Sequence, residues 1–362
     1  MISDYYAVIM AGGGGTRLWP LSRHTKPKQL LQLFGEKTFF KLAVDRLSSL
    51  FAPEHIYIVT VAEQVNALRE QVNVIPEENY LIEPHPRGTA SVVGYAAEVL
   101  QHLHPDPTMA VLTSDHVIEN EPQFIHLLEQ AYQVAADDRL VTLGIQPTFP
   151  STGYGYIHQG ERLEEYPFPA FQVRSFVEKP DQLHAEEYLR SGEYYWNSGM
   201  FIWKTNAILQ EFNRQMPVLY ESLDLLGQRY GHADYQALLL ETWQKIAPQT
   251  IDYGIMEHAQ KVVVLPAQDL GWSDVGSWDS LFEIMKADEN GNVDLSSISI
   301  QLENKNCLIK TEDPKKIVVI AGLEDTIVID TPDALLVCKK GESQKVRQIV
   351  SELKQKELER YL

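Results

Sequence analysis

The sequence has few of the features that mark secreted, metal-scaffold or membrane-spanning proteins. Only two of its 362 residues are cysteine, Cys307 and Cys338, and they form no CxxC pair. A disulfide framework or a cysteine metal site is therefore not expected. No apolar run approaches the ~20 residues of a membrane span, and the opening MISDYYAVIM lacks the basic start and long apolar stretch of a signal peptide. We expect a cytoplasmic protein with reduced thiols and no membrane contact.

Positive charge is also scarce. The chain has 31 lysines and arginines against 50 acidic residues, a net charge of −19, so its surface repels polyanions and nucleic acid is not an expected partner. The exception is the stretch from Ala11 to Lys41, which has six basic residues and one acidic residue. A charge cluster alone is most often a solvated loop, but a local cationic patch on an acidic chain suits a small, highly charged anion.

Short apolar runs alternate with amphipathic helical stretches through residues 1–289. The strand-like runs are YYAVIM (5–10), HIYIVT (55–60), MAVLTS (109–114) and RLVTLGI (139–145). Their continuous apolar character is typical of strands that are covered on both faces. The alternation predicts an α/β catalytic domain with a doubly wound, mostly parallel, Rossmann-like sheet.

The sequence changes character at about residue 290. NCLIK, KIVVIAG, TIVID and ALLVCKK follow one another too closely for helices between them, and a charged amphipathic stretch ends the sequence. We expect residues 290–362 to form a small β-rich C-terminal domain, in the form of a short β-helix, with a terminal helix. This domain is expected to serve assembly and not chemistry, in a homodimer.

The four glycines Gly12–Gly15 follow the first strand-like run. Glycine lets backbone N–H groups approach a ligand closely, and phosphate is the usual ligand of such a loop. A tight structural turn is the alternative. Arg17 stands where a Walker A loop or a dinucleotide fingerprint would need another residue, so neither of those motifs is present. A dinucleotide-binding oxidoreductase is thereby disfavoured.

The continuation GGGGTRLWPLSRHTKPKQL resembles the signature of sugar-nucleotide pyrophosphorylases, and GTRLWPLSR…PKQ is similar to mannose-1-phosphate guanylyltransferases. Further motifs occur in the order of that family: LIEPHPRGTA (81–90), VLTSDH (111–116), TGYGYI (152–157), FVEKP (176–180), WNSGMF (196–201) and WSDVGSW (272–278). The tail NCLI…GLEDTIVIDTPDALLV is also similar, so the resemblance covers nearly the whole chain.

The resemblance implies transfer of GMP from GTP to mannose 1-phosphate, with Mg²⁺ as cofactor and pyrophosphate as the leaving group. The residues that it implies for catalysis are Arg17, Lys28, Asp115, Lys179 and Asp274, of which Asp115 and Asp274 would hold the metal. Those implied for nucleotide binding are Ala11, Gly12, Gly13, Gly14, Gly15, Thr16, Arg17, Lys28, Arg87, Gly88, Thr89, Ser114 and Asp115. Those implied for the sugar phosphate are Gly155, Glu178, Lys179 and Asn197.

The sequence departs from the family pattern at Gly88, where the base-reading motif usually has asparagine. Contact with guanine through the backbone alone, or a relaxed choice of nucleotide, are both compatible with this change. The alternatives are therefore a nucleotidyltransferase for another base or hexose phosphate, and a non-catalytic, sugar-nucleotide-binding regulatory homologue. The latter would be expected to lack some of the five catalytic residues, and all five are present. Longer members of the family carry an isomerase domain after this region, and that second activity is not expected here.

Overall fold

The structure is a computed structural model that describes residues 2–362, and its residues group into two compact units. The sheet unit comprises Met1–Gly12, Lys41–Ser114 and Ile118–Trp272. The β-helix unit comprises Gly13–Phe40, Asp115–Val117 and Ser273–Leu362. The basic stretch Gly13–Phe40, which we call the basic loop, thus belongs with the C-terminal residues. A domain boundary between residues 289 and 290 stays a prediction from the sequence.

The strands and helices have the following bounds. The strands are β1 (Tyr5–Met10), β2 (Ile56–Val61), β3 (Tyr80–Glu83), β4 (Thr108–Thr113), β5 (Val117–Ile118), β6 (Leu140–Ile145), β7 (Tyr156–Arg162), β8 (Phe171–Val177), β9 (Tyr194–Lys204), β10 (Val262–Ala267), β11 (Trp272–Ser273), β12 (Val293–Asp294), β13 (Ile298–Leu302), β14 (Leu308–Thr311), β15 (Ile317–Ala321), β16 (Thr326–Asp330) and β17 (Leu335–Lys339). The helices are α1 (Phe39–Asp45), α2 (Ala62–Gln71), α3 (Thr89–Leu103), α4 (Glu121–Ala135), α5 (Gln182–Ser191), α6 (Thr205–Gln215), α7 (Pro217–Gln228), α8 (Tyr235–Lys245), α9 (Leu281–Ile284) and α10 (Val346–Gln355).

The sheet unit contains a nine-stranded sheet in the order β3-β2-β1-β4-β9-β6-β10-β8-β7. Strands β1 to β4, β6 and β10 run in one direction, and β9 runs antiparallel between β4 and β6. Strands β2, β6 and β10 are buried along their whole length, as expected for a sheet that is covered on both faces. The predicted doubly wound, mostly parallel sheet is confirmed.

Neighbouring residues of β1 show how the two faces are covered. Successive side chains of a strand point to opposite faces. The Tyr5 hydroxyl donates to the Leu128 carbonyl of α4 at 3.1 Å, while Tyr6 belongs to a core that includes residues of α3, α6 and α7. Helices therefore pack on each face, which leaves the carboxyl ends of the parallel strands as the edge where ligands are expected.

The β-helix unit is a short coil of parallel strands. Val293, Leu308 and Ile327 lie side by side on β12, β14 and β16, and β13 pairs in parallel with β15. An antiparallel strand, β17, and helix α10 follow. The predicted β-helix is confirmed, although α10 ends at Gln355 and is shorter than the amphipathic stretch suggested.

Buried asparagines hold successive turns of the coil together. Asn292 accepts from the Cys307 backbone at 2.9 Å and donates to the Asn304 carbonyl at 3.2 Å. Asn304 repeats the arrangement one turn later, accepting from the Leu323 backbone at 2.9 Å and donating to the Ile320 carbonyl at 2.9 Å. Each amide thereby satisfies backbone groups that the turns leave unpaired.

The basic loop packs into the core of the β-helix unit. Leu18, Trp19 and Phe39 are buried in one cluster with Ile327 and Val350. The indole N–H of Trp19 donates to the Tyr361 carbonyl at 2.7 Å, and the indole N–H of Trp278 donates to the Trp19 carbonyl at 2.9 Å. The shape of the basic loop is therefore set by residues far along the chain. Among residues 2–362, no helix has the length and apolarity that crossing a bilayer would need.

Replacing Asn292 with alanine should destabilise the β-helix unit. The Cys307 N–H and the Asn304 carbonyl would lose their partners at a site only 4% exposed, and each buried unsatisfied group costs about 1–3 kcal/mol. Denaturant unfolding followed by circular dichroism measures the loss. Asn290→Ala is the control because Asn290 is exposed; equal destabilisation by both substitutions would contradict this account of the asparagines.

Candidate functional site

The basic loop turns back on itself so that Lys28 packs over Gly15. Gly15 has a φ of 54°, and the Lys28 backbone nitrogen lies 3.0 Å from the point where a side chain on Gly15 would begin. Only glycine fits this combination of left-handed backbone and close approach. Arg17, which follows in the short helical turn Thr16–Leu18, is exposed. One of the predicted phosphate-binding glycines, Gly15, therefore lies beside Lys28 and two positions before Arg17.

Lys28 brings the two predicted metal-binding segments together. Its ammonium group lies 2.8 Å from Asp115 Oδ2 and also donates to the backbone carbonyl of Asp274. The Asp274 carboxylate accepts from the Gly276 backbone at 2.9 Å, which orients it. We call Lys28, Asp115 and Asp274 the lysine cluster. Residues 28, 115 and 274 thus meet at one point, although each is far from the others in sequence.

The cations around Asp115 keep its carboxyl group ionised. Burial alone would raise the pKa of Asp115, but Lys28, His116 and Arg17 together hold the pKa below its ordinary value. An ionised carboxylate is a ligand that Mg²⁺ prefers. Among residues 2–362, no three or more His, Cys, Asp or Glu side chains group closely enough to hold a metal. The two predicted metal ligands, Asp115 and Asp274, are the acids of the lysine cluster.

The motif LIEPHPRGTA (81–90), for which a base-reading role is predicted, folds into a tight turn before α3. Gly88 has a φ of 88°, and the Gln249 backbone nitrogen lies 3.1 Å from the point where a side chain on Gly88 would begin. The Gln249 N–H donates to the Arg87 carbonyl at 3.0 Å, and Gln249 accepts from the Ala90 N–H at 3.1 Å. Thr89 accepts from the Ile251 backbone at 2.9 Å. Glycine at 88 thus has a structural cause, since this turn has no room for asparagine.

Glu83, in the same motif, is a candidate that the sequence analysis missed. It ends β3 and is 3% exposed, and one of its oxygens lies 2.7 Å from the point where a side chain on Gly12 would begin. Its Oε2 atom is buried and has no hydrogen-bond partner within residues 2–362. Burial raises the pKa of Glu83 to about 7, although the Arg87 backbone N–H acts to lower it. A buried, unpartnered acceptor beside a glycine loop is suited to a ligand with N–H donors.

The predicted sugar-binding residues also lie together, around a half-buried acid, Asp252. The Asn197 amide donates to Asp252 Oδ1 at 2.7 Å, and the Asn197 backbone N–H donates to the Gly155 carbonyl at 2.8 Å. Glu178 is paired with Lys179. Burial, and then the charge of Glu178, raise the pKa of Asp252. We call these five residues the sugar cluster.

The structure therefore assembles most of the predicted residues into groups. Arg17, Lys28, Asp115 and Asp274 lie in the β-helix unit, and Gly155, Glu178, Lys179 and Asn197 lie in the sheet unit. Glu83 and Asp252, which were not predicted, also lie in the sheet unit. Glu83 could have been found, because it is an acid directly after a strand-like run; Asp252 follows no recognisable pattern.

Comparison with known proteins assigns the family. The family model described as Nucleotidyl transferase matches residues 6–291. The chain belongs to the nucleotidyl transferase family. A second model, the MannoseP isomerase/GMP-like beta-helix domain, matches residues 298–353, which agrees with the coil of β12–β16.

Several relatives cover nearly the whole of this nucleotidyl transferase. The mannose-1-phosphate guanylyltransferases of Klebsiella pneumoniae and Escherichia coli are 39% and 38% identical to it over 361 residues, which are 98% of this chain and 75% of each relative. A solved structure from Thermus thermophilus, described as a mannose-1-phosphate geranyltransferase, has a TM-score of 0.86 and 32% identity, and covers 97% of this chain and 99% of its own. The nucleotidyl transferase family commonly uses a divalent metal.

Replacing Lys28 with methionine should raise the pKa of Asp115, because the largest of the charges that lower it is removed. Carboxyl-carbon NMR titration of the two proteins measures the change. Lys26→Met is the matched control: it removes the same charge from the same loop, but Lys26 pairs with Glu312, at 2.6 Å. Equal shifts in the two variants would show that Lys28 has no special effect on Asp115.

Proposed function

We propose that this chain transfers GMP from GTP to α-D-mannose 1-phosphate and releases pyrophosphate. The observation that carries the proposal is the lysine cluster beside the glycine loop, in a chain whose relatives named mannose-1-phosphate guanylyltransferase match it over nearly its full length. A phosphate oxygen of the sugar phosphate attacks the α-phosphorus of GTP, the new P–O bond forms, and the bond to the β-phosphate breaks.

The basic loop supplies the charge that this reaction needs. Phosphoryl transfer requires little covalent chemistry from the protein; it depends on alignment and on stabilising charge. We assign Arg17 and Lys28 to the triphosphate, with Lys28 on the departing pyrophosphate. The N–H groups of Gly13–Gly15 donate to phosphate oxygens. The low exposure of Lys28, 8% of its side chain, favours a strong interaction with that anion.

Asp115 and Asp274 fit a bound Mg²⁺, because both offer oxygen ligands and the cations nearby keep Asp115 ionised. The metal would neutralise phosphate charge when bound. Lys28 already holds Asp115 and the Asp274 backbone near each other, so little rearrangement of the chain is needed.

The sugar cluster binds mannose 1-phosphate in this proposal. Glu178, 16% exposed, accepts hydrogen bonds from sugar hydroxyls, while the more exposed Lys179 reaches the sugar phosphate. Asp252 fixes the Asn197 amide, whose Oδ1 atom also accepts from the Gly199 N–H at 3.1 Å. Asp252 is therefore assigned a positioning role. Gly155 lies beside Glu178 and Asn197, and its lack of a side chain would let the sugar approach the backbone.

Glu83 is the residue that we assign to the choice of base. A carboxylate can accept from both N1–H and the amino group of guanine, whereas adenine presents an acceptor at N1. Leaving a carboxylate opposite that acceptor is unfavourable, so a site of this kind rejects adenine. This assignment supplies the side-chain contact that Gly88 lacks.

The activity is tested by incubating the protein with Mg²⁺, each of four nucleoside triphosphates and several hexose 1-phosphates while pyrophosphate release is followed. We expect GTP with mannose 1-phosphate to give GDP-mannose, and excess chelator to stop turnover. Robust turnover in chelator would overturn the metal assignment. Failure of every pair with folded protein would favour the regulatory homologue, and preference for another pair would favour the other transferase.

The Glu83→Gln variant should lose selectivity for guanine. Below a pH of about 7 the Glu83 carboxyl is protonated and loses one acceptor, so the KM of the wild type for GTP should rise as pH falls through this range. The glutamine side chain does not titrate, so the KM of the variant for GTP should lack that component of the pH dependence. Because glutamine offers only one acceptor oxygen, that KM should also be higher by about tenfold. Steady-state kinetics with GTP and ATP between pH 6 and 8 measures both effects.

Glu77→Gln is the control for this experiment, because Glu77 is an exposed glutamate of the same unit. Any pH dependence that GTP itself contributes appears in all three proteins. Parallel pH profiles for the wild type and Glu83→Gln would refute the role of Glu83.

We also propose that the chain acts as a homodimer through the β-helix unit and works in the cytoplasm. An exposed apolar row supports the dimer. It consists of Ile298, Ile300, Leu302, Ile317 and Val319. These residues lie on the paired strands β13 and β15, where Ile300 is directly opposite Val319, and contiguous exposed apolar surface often marks an interface. Both cysteines are unpaired thiols, which suits a reducing compartment; subcellular fractionation tests the location.

Two charges in this row should separate the dimer into monomers. We expect Ile300→Asp with Val319→Asp to sediment as a folded monomer at micromolar concentration, because burying carboxylates in an apolar interface is costly. Val74→Asp, at a site 61% exposed in the sheet unit, is the control and should remain dimeric. A wild-type protein that sediments as a monomer would rule out the dimer.

A further inference from the structure

The sheet unit contains a cavity of about 680 Å³ that none of the predicted site residues lines. It lies between the end of α6, the start of α7 and the segment Lys245–His258. Met216, Leu219 and Ile246 contribute apolar surface. A largely apolar cavity of this size with a few polar groups is typical of small-molecule sites, and the proposed reaction assigns no ligand to it.

The charge of the lining indicates an anion. The basic lining residues are Arg214, Lys245 and His258, on a chain with a net charge of −19. Two of them are held by acids outside the lining: Arg214 by Glu211 and Lys245 by Glu241. Glu211 and Glu241 do not line the cavity themselves, so an anion there would meet Arg214 and Lys245, each already in an ion pair.

Two further side chains indicate a planar ring with a hydrogen-bond donor. Gln215 lines the cavity, and its amide nitrogen donates to Glu211 at 2.5 Å. Its oxygen is buried without a partner within the part of the chain that the structure describes, and such an oxygen calls for an N–H or O–H donor. The ring of Tyr253, 48% exposed, also lines the cavity, and aromatic rings stack on other planar rings.

The wall of the cavity is connected to both predicted substrate sites of the sheet unit. Gln249, a lining residue, is hydrogen-bonded to Arg87 and Ala90 on either side of Gly88. Three residues further on, Asp252 accepts from Asn197 of the sugar cluster. Asp252–Met256 is a π-helix, a rare and irregular geometry that is frequent at functional sites. A ligand bound against this wall would contact the segment 245–258, which is hydrogen-bonded to both the turn at Gly88 and the sugar cluster.

We propose that this cavity binds a nucleotide-like ligand, an anionic phosphate ester that carries a planar ring with an N–H donor, and that its binding changes the affinity of the chain for the nucleotide substrate. The phosphate pairs with Arg214 and Lys245, the ring lies against Tyr253, and the donor pairs with Gln215. The second half of this proposal rests on the proposed function; the first half does not.

Direct binding tests the site. AMP is the probe, since it has a phosphate, a planar ring and an amino donor, and since adenine does not suit Glu83. Calorimetric titration of the full chain with AMP, adenosine and inorganic phosphate should show the tightest binding for AMP. Ser222→Trp, which fills the cavity, should abolish AMP binding, and Arg214→Met should weaken it about tenfold. Arg229→Gln is the control, because Arg229 pairs with Asp234 outside the cavity, and it should bind AMP normally.

The coupling is tested by titrating GTP with and without saturating AMP, and AMP with and without GTP. Linkage requires the two ligands to change each other's affinity by the same factor, and Ser222→Trp should remove that factor. The site is overturned if AMP fails to bind, if AMP binding survives Ser222→Trp, or if Lys28→Met abolishes it. AMP binding without any effect on GTP affinity refutes the coupling alone. Failure to make GDP-mannose would refute the proposed function and leave the binding result standing.

Discussion

The ammonium group of Lys28 is almost excluded from water, and a buried cation is costly unless acceptors surround it. Asp115 and the Asp274 carbonyl are those acceptors, so three distant segments of the chain converge on one nitrogen atom. This contact lowers the pKa of Asp115 and holds the Asp274 backbone beside the same ammonium group. The residues to which we assign the base and the sugar, Glu83 and the sugar cluster, belong to the sheet unit.

The position of the Lys28 ammonium group depends on the conformation of the basic loop. Trp19 is held at its indole N–H by the Tyr361 carbonyl and at its own carbonyl by Trp278, and Arg23 reaches Asp333 at 2.8 Å. These are interactions within the β-helix unit, so its C-terminal residues hold the basic loop, to which we assign phosphate binding. From the sequence we expected the C-terminal region to serve assembly alone; the structure adds this second role.

Ordered motifs and apolar runs predicted the sheet, the β-helix and most of the grouped residues. They did so because strand periodicity is a local property of the sequence, and because a set of motifs in the order of a known family indicates the fold of that family. The insertion of β9 antiparallel between β4 and β6 was not predicted, since pairing partners are not local. Neither was the union of Gly13–Phe40 with Ser273–Leu362. Glu83 was missed because its burial depends on the tertiary structure, and Asp252 because its hydrogen bond with Asn197 does.

The hydrogen bond from Trp19 to Tyr361 joins residues 342 positions apart. A ribosome makes the chain from its amino end, so the basic loop is synthesised early. Its hydrogen-bond partner Tyr361 is synthesised only after most of the chain. Contacts of such long range also slow folding, because a large loop must close before they form. The basic loop should therefore be among the last parts of the molecule to reach its final form, and an incomplete nascent chain should be unable to hold Lys28 in place.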